Sequence, residues 1–289
     1  MTFFGLGVVL ALAAAAFFHW RIDDPVVFDG ERAYQDVRYQ VALGARTPGS
    51  TAHAQTRAWI VHTLQENHWQ AESQPAQMMG HDLYNLVGKR GHGRPWVIIG
   101  AHYDSRMLAD QTPSSDQPVP GANDGASGVA VLLELARTLP ADLPGEVWLV
   151  FFDGEDNGDL PGWDWILGSR AFAQSLSTAP DAVVIVDMIG DSDLNVYLEG
   201  DSDPQLARQI WDTAAALGYQ QFIIPRLKYT MLDDHLPFRQ IGAPAVDLID
   251  FDYPYWHTTA DTADKVSPHS LQVIGDTLTH WLLALTPED

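Results

Sequence analysis

The sequence predicts an α/β fold, a single domain with a mostly parallel, mixed sheet flanked by helices. Three observations carry this. Short, near-continuous apolar runs recur at 96–101, 147–152, 182–186 and 244–249, the mark of strands buried on both faces. Segments with helical periodicity lie between them. Polar, acid-bearing segments fall just after the runs, where open α/β sheets bind their ligands.

The 289 residues, 46% of them hydrophobic, are ample for one large domain, and no composition break divides them. Residues 21–34 read as a connecting segment, and a domain is expected over 35–289. A first helix is expected by about residue 45. Arg46-Thr47-Pro48-Gly49-Ser50 reads as a loop, since Pro and Gly together break both regular periods. Ser50 caps a helix to about residue 67, with Ala58, Ile60, Val61 and Leu64 as its apolar stripe. Residues 81–89 alternate as a strand, and the run 96–101 ends at His102. A helix over 125–139 carries Val129, Val131, Leu132, Leu135 and Ala136 in period, with Pro140 past its end. The run 147–152 ends at Asp153-Gly154-Glu155-Asp156, and 182–186 at Asp187-Met188-Ile189-Gly190. A helix over 204–217 stops at Gly218. After the run 244–249, Ser267 caps a last helix through 285, with Leu271, Ile274, Leu278, Trp281 and Leu282 facing inward. There is no internal repeat and no low-complexity linker.

Residues 2–20 contain no Asp, Glu, Lys or Arg and are rich in Phe, Val, Leu and Ala. The stretch is long enough for one membrane span, roughly 17–25 residues, and Ala13 and Ala16 are candidate cleavage positions. Residues 1–20 are therefore expected to be a signal peptide or an N-terminal membrane anchor, giving an exported or membrane-anchored, extracytoplasmic protein. The usual Lys/Arg flank is missing, and Arg21 lies on the far side. A buried core helix is the competing reading. The net charge of −22, with no basic run, argues against nucleic-acid binding. The chain has no cysteine, which excludes disulfides, thiolate ligands and a Cys nucleophile.

The chemistry concentrates in four segments: His102-Tyr103-Asp104-Ser105, Gly121-Ala122-Asn123-Asp124-Gly125, Asp153-Gly154-Glu155-Asp156, and Asp233-Asp234-His235-Leu236-Pro237-Phe238 with Trp256-His257-Thr258 and Asp261-Thr262. Imidazole nitrogen and carboxylate oxygen are ligand types that zinc takes, and a spare carboxylate can move protons. Each residue also has an ordinary explanation when taken alone. Asp124 precedes a helix as an N-cap would. Glu155-Asp156 fits an exposed turn, His257 a structural imidazole, Trp256 a packing residue. Their recurrence on successive strand ends is what makes a site. Glu155 and Asp156 are adjacent and leave a strand, so they point different ways, one to a metal and one toward substrate.

As an ordered set, these motifs resemble the animal-type glutaminyl-peptide cyclotransferases, which share a fold with the zinc aminopeptidases. Gly168-Ser169-Arg170 belongs to the same set, and the likeness runs from about residue 35 to the end. The resemblance implies one zinc held by Asp124, Asp156 and His257. It implies Glu155 as general acid/base and Asp187 and Asp233 as the hydrogen-bond network beside it. Trp256, with Trp163 or Trp165, would wall the substrate pocket. Three features favour the cyclotransferases over the aminopeptidases: Trp256 before His257, Asp233 opening its motif, and the long link carrying Trp163 and Trp165. Asp156 stands where relatives usually have Glu, one methylene longer.

The implied activity converts N-terminal glutamine of peptides or proteins to pyroglutamate, releasing ammonia. Two alternatives stay open. His102 and Asp187 match residues that hold a second zinc in aminopeptidases, with Asp104 supporting His102, so a one- or two-zinc aminopeptidase is the first. A catalytically silent, membrane-tethered binding domain is the second, although every ligand position keeps a metal-competent residue.

Overall fold

A computed structural model describes residues 27–286. The expected leader at 1–20 lies outside the described residues. The first helix, α1 (Gly30–Leu43), is capped by the Asp29 carboxylate, so residues 30–34 of the expected connecting segment are helical. In α2 (Thr51–Glu66) the Ser50 side chain accepts from the His53 N–H, the cap expected of it. Caps of this kind are worth about 1 kcal/mol.

The chain then forms β1 (Gln70–Met78), β2 (His81–Gly91) and β3 (Trp96–His102), followed by α3 (Ala126–Thr138), β4 (Glu146–Phe152), α4 (Leu167–Ser175) and β5 (Ala182–Asp187). It continues through β6 (Val196–Glu199), α5 (Pro204–Ala216), β7 (Ile223–Tyr229), α6 (Leu236–Gln240), β8 (Ala245–Ile249) and α7 (Pro268–Leu283).

Six strands make one sheet in the order β1-β2-β4-β3-β5-β8. The run β4-β3-β5-β8 is parallel throughout to the β8 edge, and the pairings β1–β2 and β2–β4 toward the other edge are antiparallel. This is the mixed, mostly parallel sheet that the apolar runs predict. Strand β5 is buried at every position, and β3 at all but its first. Successive side chains point to opposite faces. Leu86, Val97, Ile99, Leu149 and Val184 join one core with residues of α1, α2, α3, α5 and α7. Val87, Ile98, Val150, Phe152, Val183 and Ile185 join the other, with Phe172 of α4 and Phe238 of α6. A Cβ on Gly128 would stand 2.6 Å from the Val186 carbonyl oxygen, so glycine there lets α3 lie directly on the sheet.

Strand β1 was not expected. Its sequence QAESQPAQM lacks an apolar face, and it holds the sheet edge with no residue fully buried. A separate parallel pair, β6–β7, was also not expected, because β6 has four residues and β7 is largely exposed. No described helix is long and apolar enough to cross a membrane.

Candidate metal centre and active site

The fold brings the chemistry-bearing segments to the carboxyl ends of the parallel strands. His102 is the last residue of β3 and Asp187 the last of β5. Glu155 and Asp156 follow β4, and Trp256-His257 follow β8. Asp124 comes from the turn before α3, and Asp233 from the turn before α6. All are buried.

Two candidate metal clusters share Asp124 among the described residues: His102, Asp124 and Asp187, and Asp124, Asp156 and His257. His102 Nε2 lies 3.2 Å from Asp124 Oδ1 and 3.1 Å from Asp187 Oδ1. His257 Nε2 lies 2.8 Å from Asp156 Oδ1 and 3.8 Å from Asp124 Oδ2. Asp124 thus turns one oxygen to each imidazole. The shorter Asp156 reaches the cluster without the extra methylene of Glu.

Asp124 does not cap α3, contrary to the sequence expectation. Gly125 takes the cap position at φ 93° with no side-chain cap bond, and this left-handed turn frees the carboxylate for the site. Asp124 Oδ2 and Asp156 Oδ2 are buried with no hydrogen-bond partner. Buried oxygens in this condition call for a cation or a proton. Two imidazoles face the carboxyl groups of Asp124, Asp156, Asp187 and Glu155, so positive charge is short. With nitrogen and oxygen donors converging, the residues fit a divalent cation of the zinc type.

The local field sorts the acids. Burial would raise the Asp124 carboxyl, but His102, His257 and Arg46 hold it below the ordinary range. Burial and the Asp124 charge push Asp156 up to about 6. Burial lifts Glu155 well above the ordinary range, and Asp156, Asp233 and Asp234 add to this against the pull of His102. Burial and the Asp187 charge push Asp233 up to about 7.

These groups border a cavity of about 180 Å³. Asp124, Glu155, Asp156, Asp187, Asp233 and His257 supply its polar lining. Trp165, Trp256, Phe251, Ile249, Met188, Met231 and Leu232 supply the rest. Of the tryptophans expected to wall it, Trp256 and Trp165 do. Trp163 does not: it stacks on His81 with ring centroids 3.7 Å apart, away from the cavity lining. Trp256 and Trp165 both stack on the His257 ring, at 3.7 and 5.8 Å.

The family model of peptidase family M28 matches residues 85–282. The chain belongs to peptidase family M28. It is homologous to glutaminyl-peptide cyclotransferases. The glutaminyl-peptide cyclotransferase-like protein of Mus musculus is 28% identical over 281 residues, covering 83% of this chain and 72% of the relative. Glutaminyl cyclase of Tannerella forsythia superposes with a TM-score of 0.83 at 28% identity, over 90% of this chain and 100% of that one. A Zn-dependent exopeptidase of Parabacteroides distasonis gives 0.85 at 27% identity, over 90% and 99%. The fold is therefore zinc-exopeptidase-like, as expected.

Among the residues shaping this M28 site, Asp104 and Asp261 lie in segments the sequence singles out, whereas Arg46 and Phe251 carried no sequence signal. Asp104, proposed as a support for His102, is 3.6 Å from its Nδ1 and also accepts from the Glu155 N–H and Asn157 Nδ2, both at 3.1 Å. Asp261 accepts from the N–H groups of Asn123 and Asp124 at 2.8 and 3.1 Å, fixing the turn that presents Asp124. Arg46, fully buried, donates to the carbonyls of Tyr103, Pro120 and Gly121 and pins the same turn from the other side. A lone Arg in a Pro-Gly loop, or Phe251 in a tyrosine-rich stretch, is not distinguishable by type or spacing from ordinary loop residues.

Proposed function

We propose that the protein is a zinc-dependent glutaminyl-peptide cyclotransferase that converts N-terminal glutamine to pyroglutamate with release of ammonia. The observation that carries this reading is the small aromatic-walled cavity with Glu155 and Asp233 on its lining. About 180 Å³ suits one side chain folded back toward its own α-amine. Holding the amine against the γ-carboxamide carbon supplies much of the rate, because a ring closure is limited by orientation.

Zinc held by Asp124, Asp156 and His257 would supply Lewis-acid polarisation of the carboxamide oxygen. The chain's own residues do the rest. Glu155 takes a proton from the attacking α-amine and returns one to the departing ammonia. In the metal-free protein burial raises its affinity for protons, in keeping with a base that must also act as an acid. Asp233 and Asp187 border the same cavity and keep the proton within reach of Glu155. Trp256, Trp165 and Phe251 exclude water, which would otherwise compete as a nucleophile. The acidic lining also attracts the cationic amino terminus of a peptide or protein substrate.

A second reading is an aminopeptidase with two metals, favoured by the second cluster of His102, Asp124 and Asp187. There Glu155 would activate water for peptide hydrolysis. The deciding experiment follows ammonia release from a Gln-initiated peptide beside amine release from a leucine anilide, with the metal content measured. Ammonia release with an inert anilide and one zinc per chain supports the cyclotransferase. Anilide cleavage with two zincs supports the aminopeptidase. Membrane association through residues 2–20, and export, remain part of the proposal, tested by fractionating cells that express the full chain.

A further inference from the structure

Residues 106–112 bind the turn that carries His257 at three points. Gln111 donates its N–H to the His257 carbonyl at 3.1 Å. The Thr259 N–H donates to Thr112 Oγ1 at 3.0 Å. Asp110 Oδ1 faces His257 Nδ1 at 3.4 Å, on the side of the ring away from Asp156 and Asp124. Asp110 is itself locked. Arg106 donates to it through Nε at 3.1 Å and Nη2 at 2.5 Å, a two-point fork that fixes the carboxylate plane. The same guanidinium is buried, donates through Nη1 to the Asp156 carbonyl at 3.0 Å, and lies 4.9 Å from the Trp165 ring centre.

His257 needs such support. Its φ of 54° lies in the left-handed region, which a non-glycine residue adopts only where surroundings enforce it. An imidazole has two nitrogens, and the acceptor beside one decides which of them is free to bind a cation. We infer that Asp110, locked by Arg106, is a positioning residue that sets the tautomer and ring orientation of His257, and that residues 106–112 hold its turn. The inference rests on the reading of His257 as a metal ligand.

The test uses the full protein and the variant Asp110→Asn, which keeps shape and removes charge. Zinc affinity is measured by competition with a chromophoric chelator, and the visible spectrum is recorded with cobalt(II) replacing zinc. We expect zinc affinity to fall about 10- to 100-fold, the range for losing the outer polar partner of a ligating histidine. The cobalt bands should shift as the His257 ring moves. Wild-type affinity together with a wild-type cobalt spectrum would overturn the inference while leaving the metal site standing. Wild-type protein that takes up neither ion would overturn the ligand reading of His257 itself, and this inference with it. Should Asp110→Asn fail to fold, Thr112→Val removes the acceptor for the Thr259 N–H. It is expected to weaken zinc several-fold, and unchanged affinity there overturns the role of the segment.

Discussion

Two buried clusters in this protein have nearly the same composition and opposite character. One holds His102 and His257 among Asp124, Asp156, Asp187 and Glu155 at the carboxyl end of the sheet. The other, deeper in the fold, places His235 between Glu199 (3.2 Å from Nε2) and Asp247 (3.8 Å from Nδ1). In the second cluster Glu199 is saturated by the N–H groups of Asp201, Ser202 and Met231 and by the Ser202 hydroxyl. Burial works against its charge, yet His235 and these donors bring its carboxyl down to about 2. Asp247 has no donor at either oxygen, and burial with the Asp233 and Asp187 charges lifts it well above the ordinary range. One acid has its charge solvated by protein donors, and the other finds no donor and has its proton affinity raised by burial. Among the described residues, three ligand atoms converge only in the first cluster, and its unpartnered oxygens sit beside a cavity. Ligand-type residues become a site when their unsatisfied atoms meet at one accessible point.

The sharpest way to test this contrast is one substitution in each cluster. Glu155→Gln removes a proton acceptor without removing a ligand. Turnover should fall about 10³-fold, within the range for losing a general acid/base, while zinc content and the urea midpoint stay at wild-type levels. Near-normal turnover would take Glu155 out of the reaction. His235→Gln should do the reverse. It leaves Glu199 and Asp247 without their imidazole, and should cost about 3 kcal/mol of stability, the scale of breaking a buried charged network. Its zinc content should be unchanged and its turnover within a few-fold. Loss of zinc in this variant would mean that the two clusters work as one.

The sequence already distinguished the first cluster, and the reason is topological. Strands β3, β4, β5 and β8 are buried runs that end in acids or His, so the register of the sheet places those ends side by side. Helices α2, α5 and α7 were legible from Ser50, from the stop at Gly218 and from Ser267. Strand β1 and helices α4 and α6 were not, being polar or short. The His235 cluster was half visible. His235 was named with Asp233, but its partner Glu199 ends an unpredicted strand, and Asp247 lies inside an otherwise apolar one. Arg106 and Asp110 lie in an irregular segment whose spacing matches no period. Contacts that depend on loop path are invisible to periodicity.

A smaller effect follows from the proton affinities of the metal-free protein. Burial, the first cause in each case, pushes Asp233, Asp250 and Asp261 up to about 7 from the ordinary 3.8. Between about pH 4 and 7 the folded chain keeps protons that the unfolded chain has released, so stability falls as pH rises through this window. Glu199, at about 2 against an ordinary 4.5, acts at the other end: its contribution is lost as pH falls from about 4.5 toward 2. The urea midpoint of chelator-treated protein should therefore be highest near pH 4–5. Added zinc should raise it most at pH 7–8, where the ligands are ionised. A metal-free midpoint still climbing from pH 5 to 8 would mean that these acids ionise freely in the folded chain.

The finest comparison is between two tryptophans two residues apart. Both lie in the irregular link after Asp156, and type and spacing do not choose between them. Trp165 lines the cavity, stacks on His257 and lies beside the Arg106 guanidinium. Trp163 instead closes over His81 in a stack tilted by only 10°. Trp165→Ala loses the His257 and Arg106 contacts of the free protein and, in addition, the wall that a substrate side chain leans on, so it should raise KM for a Gln-initiated peptide about tenfold, the equivalent of ~1.4 kcal/mol. Trp163→Ala loses a contact present with or without substrate. It should lower stability by ~1 kcal/mol and leave KM within about twofold. Michaelis constants and urea midpoints for the two variants separate these outcomes. A KM effect at Trp163 with none at Trp165 would mean that the link adopts another path when substrate binds, and the wall would have to be reassigned.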